Sequence, residues 1–295
     1  MKLSLPQRSI DFPRRPLIMG IVNVNDDSFS GDGSLDIDTA LTHARQQIIH
    51  GADLIDVGAE SARTNRCAIP IEEEIRRFHA FIERWDEAIE GTEPRDPSQV
   101  WPPALSANTW RPEVVEKILP LGKIDLLNDM SALPDDRNAR LCAAHGTALL
   151  LMHSVGEPKI PQTHQSWQNV MKSLDDFFEE KLHLCQQAGL PEDATIIDPG
   201  IDFAKQRDDN LNVMRDLAQL RKFNRPILVP VSRKTVIGEV LEIDDPAERD
   251  AGTMACIVAC YQQGAHLFRV HNVDASWQVL RTLEALERHT DKQKS

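Results

Sequence analysis

The polar residues of this chain that could do chemistry follow short apolar segments, one after another along the sequence. They are Asn23, Asp56, Asn108, Asn128, His153, Asp198, Ser232 with Lys234, and Arg269 with His271. If the apolar segments are strands of a parallel barrel, these side chains meet at one end of it. Single members are also typical helix N-caps, because Asn, Asp and Ser favour the turn before a helix. Capping explains some of the positions, but the whole set favours a binding site.

Several cationic residues lie at or close to these strand ends, although the chain is acidic overall. Lys and Arg total 33 against 46 Asp and Glu, which gives a formal charge of −13. Bidentate arginine and the point charge of lysine suit phosphate groups, so an anionic, phosphorylated small molecule is indicated. The residues concerned are Arg63, Arg233, Lys234, Arg269 and His271. The alternative for the R-V-H segment is a surface ion pair, because alternate residues of a strand share a face.

The turn Asp198-Pro199-Gly200 can position a carboxylate. Proline fixes the backbone and lacks an N–H, and glycine permits a tight turn directly after a strand. A carboxylate held in this way can accept two hydrogen bonds from a heterocycle, or it can only cap its own turn. The residues alone leave both interpretations open.

Two kinds of catalytic site have no support in the sequence. The histidines do not have the spacing of zinc ligands, and we expect His153 to be an ordinary loop or helix-end residue. No serine stands in a G-x-S-x-G motif, so covalent catalysis is not indicated. Substrate positioning and charge stabilisation are therefore the favoured sources of catalysis.

Composition and terminal residues exclude several other classes of protein. The acidic balance argues against a nucleic-acid partner, and no apolar stretch is long enough to predict a membrane span. The segment MKLSLPQRSIDFPRRPL lacks the apolar core of a signal peptide. The 5 cysteines have no C-x-x-C spacing. We therefore expect a reduced, cytoplasmic protein without nucleic-acid or membrane partners.

Short apolar strands alternate with segments of helical spacing from end to end. The predicted strands are Pro16–Val22, Leu54–Val57, Ala104–Ala107, Leu126–Leu127, Ala148–Leu151, Thr195–Ile197, Ile227–Val231 and Leu267–Val270. The predicted helices are Ile37–His50, Ile71–Ile89, Pro112–Leu119, Asp136–His145, Trp167–Ala188, Asp209–Phe223, Ala247–Gln263 and Ala275–Arg288. This alternation predicts an α/β fold, a (β/α)8 TIM barrel in a single domain. A doubly wound open sheet is the alternative, but it normally carries a glycine-rich phosphate motif, which this sequence lacks.

The predicted barrel domain covers residues 16–288, between an N-terminal extension, 1–15, and a charged tail, 289–295. The proline-rich segment 91–103 (GTEPRDPSQVWPP) is expected to be a long surface connection between the second helix and the third strand.

Several of these segments together resemble the dihydropteroate synthase family across roughly residues 16–285. The matching motifs are IMGIVNVNDDSFSGDG (18–33), GADLIDVGAESART (51–64), LSANTWRPEVV (105–115), LLNDMSAL (126–133), LLLMHSVGEP (150–158), IIDPGIDFAKQRDDNL (196–211), ILVPVSRKTVIG (227–238) and GAHLFRVHNV (264–273). The resemblance implies a (β/α)8 barrel and a transferase of folate biosynthesis. Such an enzyme joins 6-hydroxymethyl-7,8-dihydropterin diphosphate to p-aminobenzoate and releases diphosphate with Mg²⁺.

The resemblance also implies a role for individual residues. It places Asn23 on the Mg²⁺, Arg269 and His271 on the phosphates with Ser232 near the leaving group, and Arg63 as a residue that closes over them. The pterin would bind to Asn108, Asn128, Asp198 and Lys234, between walls formed by Met152 and Phe203. Thr235 and Phe29 would lie near the aminobenzoate. Lys234, Asp198 and Arg63 are the expected catalytic residues, and the family implies a homodimer.

The sequence departs from the family pattern at informative positions. Asn108 replaces the aspartate of S-x-D-T, so a carboxylate that only accepts has become an amide without net charge. Asp202 replaces a glycine of D-P-G-x-G-F-G-K, and Pro230 replaces the glycine of G-x-S-R-K. The loops 23–33 and 58–65 each lack a family proline, and Ala62 replaces a substrate-binding threonine.

Three functions are compatible with this pattern. The chain could be a working dihydropteroate synthase, a related transferase that acts on another pterin or amine, or a non-catalytic pterin-binding protein. The first two are favoured by Asn23, Asp198, Lys234, Arg269 and His271. The last two are favoured by the changes at Asn108, Ala62 and Pro230.

Overall fold

The computed structural model describes residues 1–25, 33–60, 67–160, 162 and 164–294. The chain begins with an antiparallel hairpin of β1 (Lys2–Leu5) and β2 (Arg8–Asp11), in which Lys2 pairs with Asp11. Among the described residues, no helix is both long enough and apolar enough to cross a membrane.

A parallel sheet of eight strands follows the hairpin. Its strands are β3 (Leu17–Asn23), β4 (Leu54–Gly58), β5 (Ala104–Asn108), β6 (Leu126–Asp129), β7 (Ala148–Met152), β8 (Thr195–Asp198), β9 (Leu228–Val229) and β10 (Leu267–Val270). The strand order is β8-β7-β6-β5-β4-β3-β10-β9. A bridge between Ile197 and Ile227 links the two end strands of that order, so the sheet closes on itself. The predicted (β/α)8 barrel is confirmed.

Helices cover the outside of this barrel. They are α1 (Ile37–Ile49), α2 (Ile71–Glu83), α3 (Trp85–Ile89), α4 (Pro112–Ile118), α5 (Arg137–His145), α6 (Val170–Gln187), α7 (Arg207–Arg215), α8 (Thr235–Leu241), α9 (Asp250–Gln262) and α10 (Val273–Lys294). The predicted helix 71–89 is divided at Arg84, and the end of the predicted helix 209–223 is a 3₁₀ helix, Leu217–Phe223. The short helix α8 was not predicted.

Strand alternation divides the apolar side chains into two cores. The inner core fills the barrel, and every second residue of a strand contributes a side chain to it. Examples are Leu54, Ala104, Leu126 and Leu150. The outer core lies between the sheet and the helices, where Ile55 of β4 joins residues of the helices. The same alternation continues to the strand ends, where the inward-facing residue is polar, as in Asp56 two residues after Leu54 and Asn128 two residues after Leu126. These polar side chains therefore lie inside the barrel mouth.

The hairpin closes the opposite end of the barrel. Leu3, Leu5, Ile10 and Phe12 are buried and belong to the inner core. The extension 1–15 is therefore packed onto the barrel base, because the apolar face of a two-stranded hairpin needs a partner surface.

The segment 91–103 also contributes to the barrel base. Val100 belongs to the inner core, and Gln99 is buried with its Nε2 donating to the backbone oxygens of Ile48 and Ala52. The prediction of a surface connection is wrong for this half of the segment. The prolines favour a loop, but they do not determine whether that loop is buried.

Candidate active site

A fully buried carboxylate, Asp56 of β4, organises the barrel mouth. It accepts hydrogen bonds from Ser106 Oγ at 2.6 Å, Asn128 Nδ2 at 2.9 Å, Asn108 Nδ2 at 3.2 Å and Arg269 Nε at 2.7 Å. These donors come from β5, β6 and β10. Alternation explains the arrangement, because Asp56 occupies the same inward series as Leu54 and lies one layer nearer the mouth. One carboxylate thus connects four strands of the site.

Asp56 also determines how the neighbouring amides are oriented. A carboxylate only accepts, so Asn108 and Asn128 must turn their NH2 groups toward it and their oxygens away. The Oδ1 of Asn108 is buried and has no hydrogen-bond partner among the described atoms. A buried acceptor without a donor is unfavourable. This atom is therefore suited to an N–H donor on a ligand.

Asp198 is held at the end of β8 by its own turn. Its Oδ1 accepts from Gly200 N at 2.7 Å. Gly200 has φ +68°, and a Cβ there would lie 2.0 Å from the backbone oxygen of His153, which explains the glycine. Burial raises the pKa of Asp198 to about 6, although the Gly200 hydrogen bond and the nearby Lys234 act in the opposite direction. Asp198 therefore caps its own turn with Oδ1, and its carboxyl group also lies close to the other residues of the mouth.

A buried lysine fixes the loop that follows Asp198. Lys205 Nζ lies 2.8 Å from His153 Nδ1 and donates to the backbone oxygens of Gly200 at 3.0 Å and Phe203 at 3.1 Å. Burial lowers the pKa of Lys205 to about 7. Burial and the adjacent ammonium lower the pKa of His153 to about 2, so its ring is a neutral acceptor. His153 is therefore a structural residue at the end of β7, and its partner Lys205 was not predicted.

Lys234 lies against an aromatic wall of the mouth. Its Nζ is 4.7 Å from the ring centroid of Phe203, a cation–π distance. Burial lowers the pKa of Lys234, and the nearby acids oppose this shift. Phe203 packs against the inner core, to which the buried Met152 belongs. The neighbouring Arg233 is paired with Asp250, with Nε 2.8 Å from Oδ1.

Arg269 and His271 lie at the mouth, and Arg269 is not part of a surface ion pair. The Arg269 Nε is bound to the buried Asp56, while its Nη groups make no hydrogen bond within the described residues. Ser232 Oγ accepts from the backbone N of His271 at 3.1 Å and lies 2.9 Å from its Nδ1. This arrangement joins β10 to the loop after β9 and presents a guanidinium, an imidazole and a hydroxyl for an anion.

The side chain of Asp202, in the loop after β8, reaches the first residues of α8. Its carboxylate accepts from Thr235 N at 2.5 Å and Val236 N at 3.3 Å, and from Asn210 Nδ2 at 3.2 Å. Asp202 therefore links the loop that carries Asp198 to the loop that carries Lys234.

Asn23 ends β3 beside Gly58 of β4. Its Oδ1 would lie 3.6 Å from a Cβ at position 58, an ordinary van der Waals distance, so this oxygen lies against Gly58. Within the described residues, no group of three acidic, histidine or cysteine side chains could hold a metal ion. Arg63 and Phe29, two predicted site residues, lie outside the described residues.

A buried ionic network supports the mouth on the side of β4 and β5. Arg111 binds Glu60 at 2.7 Å and Glu74 at 3.0 Å, and Lys159 binds Glu60 at 2.8 Å. Thr109 Oγ1 donates to Glu74 at 2.6 Å. The network ties the loops after β4, β5 and β7 together, and sequence reasoning did not identify it.

Comparison with known proteins gives a consistent family. A model described as "Pterin binding enzyme" matches residues 19–271. The dihydropteroate synthase of Escherichia coli K12 is 35% identical over 286 residues, which cover 97% of this chain and 96% of that protein.

Solved structures give the same result. The Yersinia pestis dihydropteroate synthase, in a sulfonamide drug complex, superposes with a TM-score of 0.86 at 30% identity and covers 98% of this chain and 100% of that one. The Xanthomonas albilineans enzyme with 4-aminobenzoic acid has a TM-score of 0.79 at 32% identity, with 92% and 93% coverage.

Proposed function

Because this chain belongs to the pterin-binding enzyme family and is a dihydropteroate synthase transferase, we propose how its own residues divide the reaction. The substrates are 6-hydroxymethyl-7,8-dihydropterin diphosphate and p-aminobenzoate, and diphosphate is released. One observation carries the proposal: Asp56 gathers Arg269, Asn108 and Asn128 around a single buried carboxylate. This cluster sets an anion-binding guanidinium beside acceptors for a polar heterocycle.

The pterin binds among the acceptors of the mouth. Asp198 accepts N–H donors of the ring, and the oxygens that Asn108 and Asn128 turn away from Asp56 accept further ones. Lys234 donates to a ring acceptor from its position over Phe203. Each N–H donor of the heterocycle thereby meets an acceptor of the protein, and the ring acceptor meets a donor. Such pairing is the basis of specific recognition in a buried site.

The diphosphate binds at the other side of the cluster. The Nη groups of Arg269 donate to phosphate oxygens, and His271 with Ser232 provides further donors. Departure of diphosphate leaves positive charge on the pterin methylene. The Asp198 carboxylate, which is ionised at neutral pH because its pKa is about 6, stabilises that charge. Catalysis then arises from orientation and electrostatics, without a protein nucleophile.

The residues present fit a Mg²⁺ ion bound together with the diphosphate. Mg²⁺ usually keeps several waters and takes few protein ligands besides substrate phosphates, and Asn23, at the mouth end of β3, carries one neutral amide oxygen of the kind that this ion accepts. When bound, the ion would neutralise charge on the leaving diphosphate. Asn23 would hold it, and the protein cations named above would bind the remaining phosphate oxygens.

We further propose a homodimer in the cytoplasm. The described cysteines are all free thiols, which fits a reducing compartment. The homodimer is the assembly that the family resemblance implies. Sedimentation analysis tests the dimer, and a monomer at micromolar concentration would contradict it.

The proposed function is tested by a turnover assay with both substrates, in which released diphosphate is measured and the product is identified by chromatography. The double variant Arg269→Ala/His271→Ala should weaken binding of the diphosphate substrate by about 2–4 kcal/mol in calorimetry, because it removes charge-assisted contacts. Arg84→Ala is the matched control, since that arginine is paired on the outer surface. Absence of turnover in the wild type would contradict the function, and unchanged affinity of the double variant would contradict the anion site.

A further inference from the structure

Asp202 stands in a backbone conformation that disfavours a side chain. It lies in the loop between Asp198 and α7 with φ +67°, in the left-handed region, and the family motif has glycine there. Aspartate tolerates this region better than most residues but is still less stable there than glycine. Its carboxylate makes hydrogen bonds that glycine could not make.

Donors from two helices fix the Asp202 carboxylate. The first two backbone N–H groups of α8, at Thr235 and Val236, donate to it, and Asn210 Nδ2 of α7 adds a third hydrogen bond. The backbone N of Asp202 returns a hydrogen bond to Asn210 Oδ1 at 2.8 Å. The negative charge thus has one position, at hydrogen-bond distance from Thr235.

This position bears on the second substrate. Thr235 is exposed, and the family resemblance places it near the arylamine. An amine that carries a carboxylate would bring a second negative charge toward Asp202. It would also find the amide N–H groups of Thr235 and Val236 already occupied. Like charges repel, and close to a protein surface this repulsion is stronger than in bulk water, although salt screens part of it.

We propose that Asp202 is a specificity residue for the amine: it weakens binding of carboxylate-bearing arylamines relative to neutral ones. The proposal rests on the proposed function, in which an arylamine is the second substrate, and on the family resemblance, which places that amine beside Thr235. It predicts that the site accepts an uncharged analogue of p-aminobenzoate unusually well, since such an analogue meets no repulsion from the Asp202 carboxylate.

The test compares p-aminobenzoate with p-aminobenzamide, its neutral analogue, in the wild type and in Asp202→Gly and Asp202→Asn. Both variants should shift the ratio of kcat/KM values about tenfold toward p-aminobenzoate, which corresponds to about 1.4 kcal/mol. The shift should arise mainly in KM for the amine, with KM for the pterin diphosphate unchanged. Asp208→Asn is the matched control: it removes an equal charge from the exposed first turn of α7 and should leave the ratio unaltered.

Each outcome has a definite meaning. An unchanged ratio in both Asp202 variants overturns the proposal, as does an equal shift in Asp208→Asn, which would indicate net charge alone. If Asp202→Gly does not fold, Asp202→Asn still removes the charge in a residue that tolerates positive φ. If the wild type turns over no amine, the proposed function fails, and calorimetric titration of both amines still measures the selectivity.

Discussion

Replacement of Asp56 by asparagine should damage the fold and the site together. The Asp56 carboxylate is fully buried and accepts from four donors. An asparagine offers a single oxygen beside an NH2 group and carries no charge. Asn108, Asn128 and Arg269 all donate to Oδ2 and Ser106 donates to Oδ1, so the asparagine oxygen can serve one of these two sets only. In either orientation Arg269 loses its ion pair.

The magnitude follows from the burial of this cluster. A hydrogen bond to a charged group contributes about 1.5–3 kcal/mol, and removing one partner of a buried ion pair costs about 3–5 kcal/mol. The Arg269 side chain is 21% exposed, so solvent screens part of its interaction. We expect Asp56→Asn to lower the free energy of unfolding by about 3 kcal/mol. Binding of inorganic diphosphate to the folded protein should weaken about tenfold, because the Arg269 guanidinium is held less firmly without its ion pair.

The matched control is Asp53→Asn at the opposite end of the barrel. Asp53 is also fully buried, pairs with Arg15 at 3.0 Å and accepts from the backbone N of Ile18 and Val100. Its loss should destabilise the fold by a similar amount without affecting the mouth. Urea denaturation gives the stability of both variants, and calorimetry at low temperature gives diphosphate affinity. Equal affinity of the two variants would refute the role given to Asp56.

Three further predictions concern other groups of the site. The pKa of Asp198 is raised from 3.8 to about 6, so the contribution of this group to the free energy of unfolding rises as pH falls from 6 toward 4. The same protonation removes an acceptor for the pterin. Calorimetry should therefore show weaker binding of the pterin diphosphate below pH 6, and Asp198→Asn should flatten that profile. Lys205→Met leaves two carbonyl oxygens without their donor and should lower the free energy of unfolding, measured in urea, by about 2–4 kcal/mol. A variant as stable as the wild type would contradict the role of Lys205 in fixing the loop after Asp198. Turnover should stop in excess EDTA, and Asn23→Ala should raise the Mg²⁺ concentration for half-maximal rate; full activity in EDTA would refute the metal role.

The sequence predicted the strands well because each is a short apolar run ended by a polar residue. Those endings also identified the mouth, since parallel strands bring their carboxyl ends to one side. The pattern showed that Asp56 belongs to the mouth, yet it did not show which donors reach it. Its partners are separated by up to 213 residues along the chain, and such pairings depend on barrel closure.

Other features were missed for related reasons. Helix α8 is only seven residues long, too short for its apolar spacing to be distinctive. Lys205 looks like any surface lysine in the sequence, and only its burial beside His153 makes it a structural donor. Gln99 and Val100 lie in a proline-rich segment whose composition is typical of exposed loops.

The hairpin at the barrel base has a consequence for synthesis of the chain. Its side chains pack in the same core as Leu228 and Leu267, and Lys2 and Ser4 bind Asp193. The hairpin residues precede these partners in the chain by roughly 190 to 260 positions, so they reach their native contacts only after the barrel strands have been made. Until then the apolar face of the hairpin stays uncovered, so a nascent chain of this protein would depend on the ribosome surface or a chaperone to keep it from aggregating.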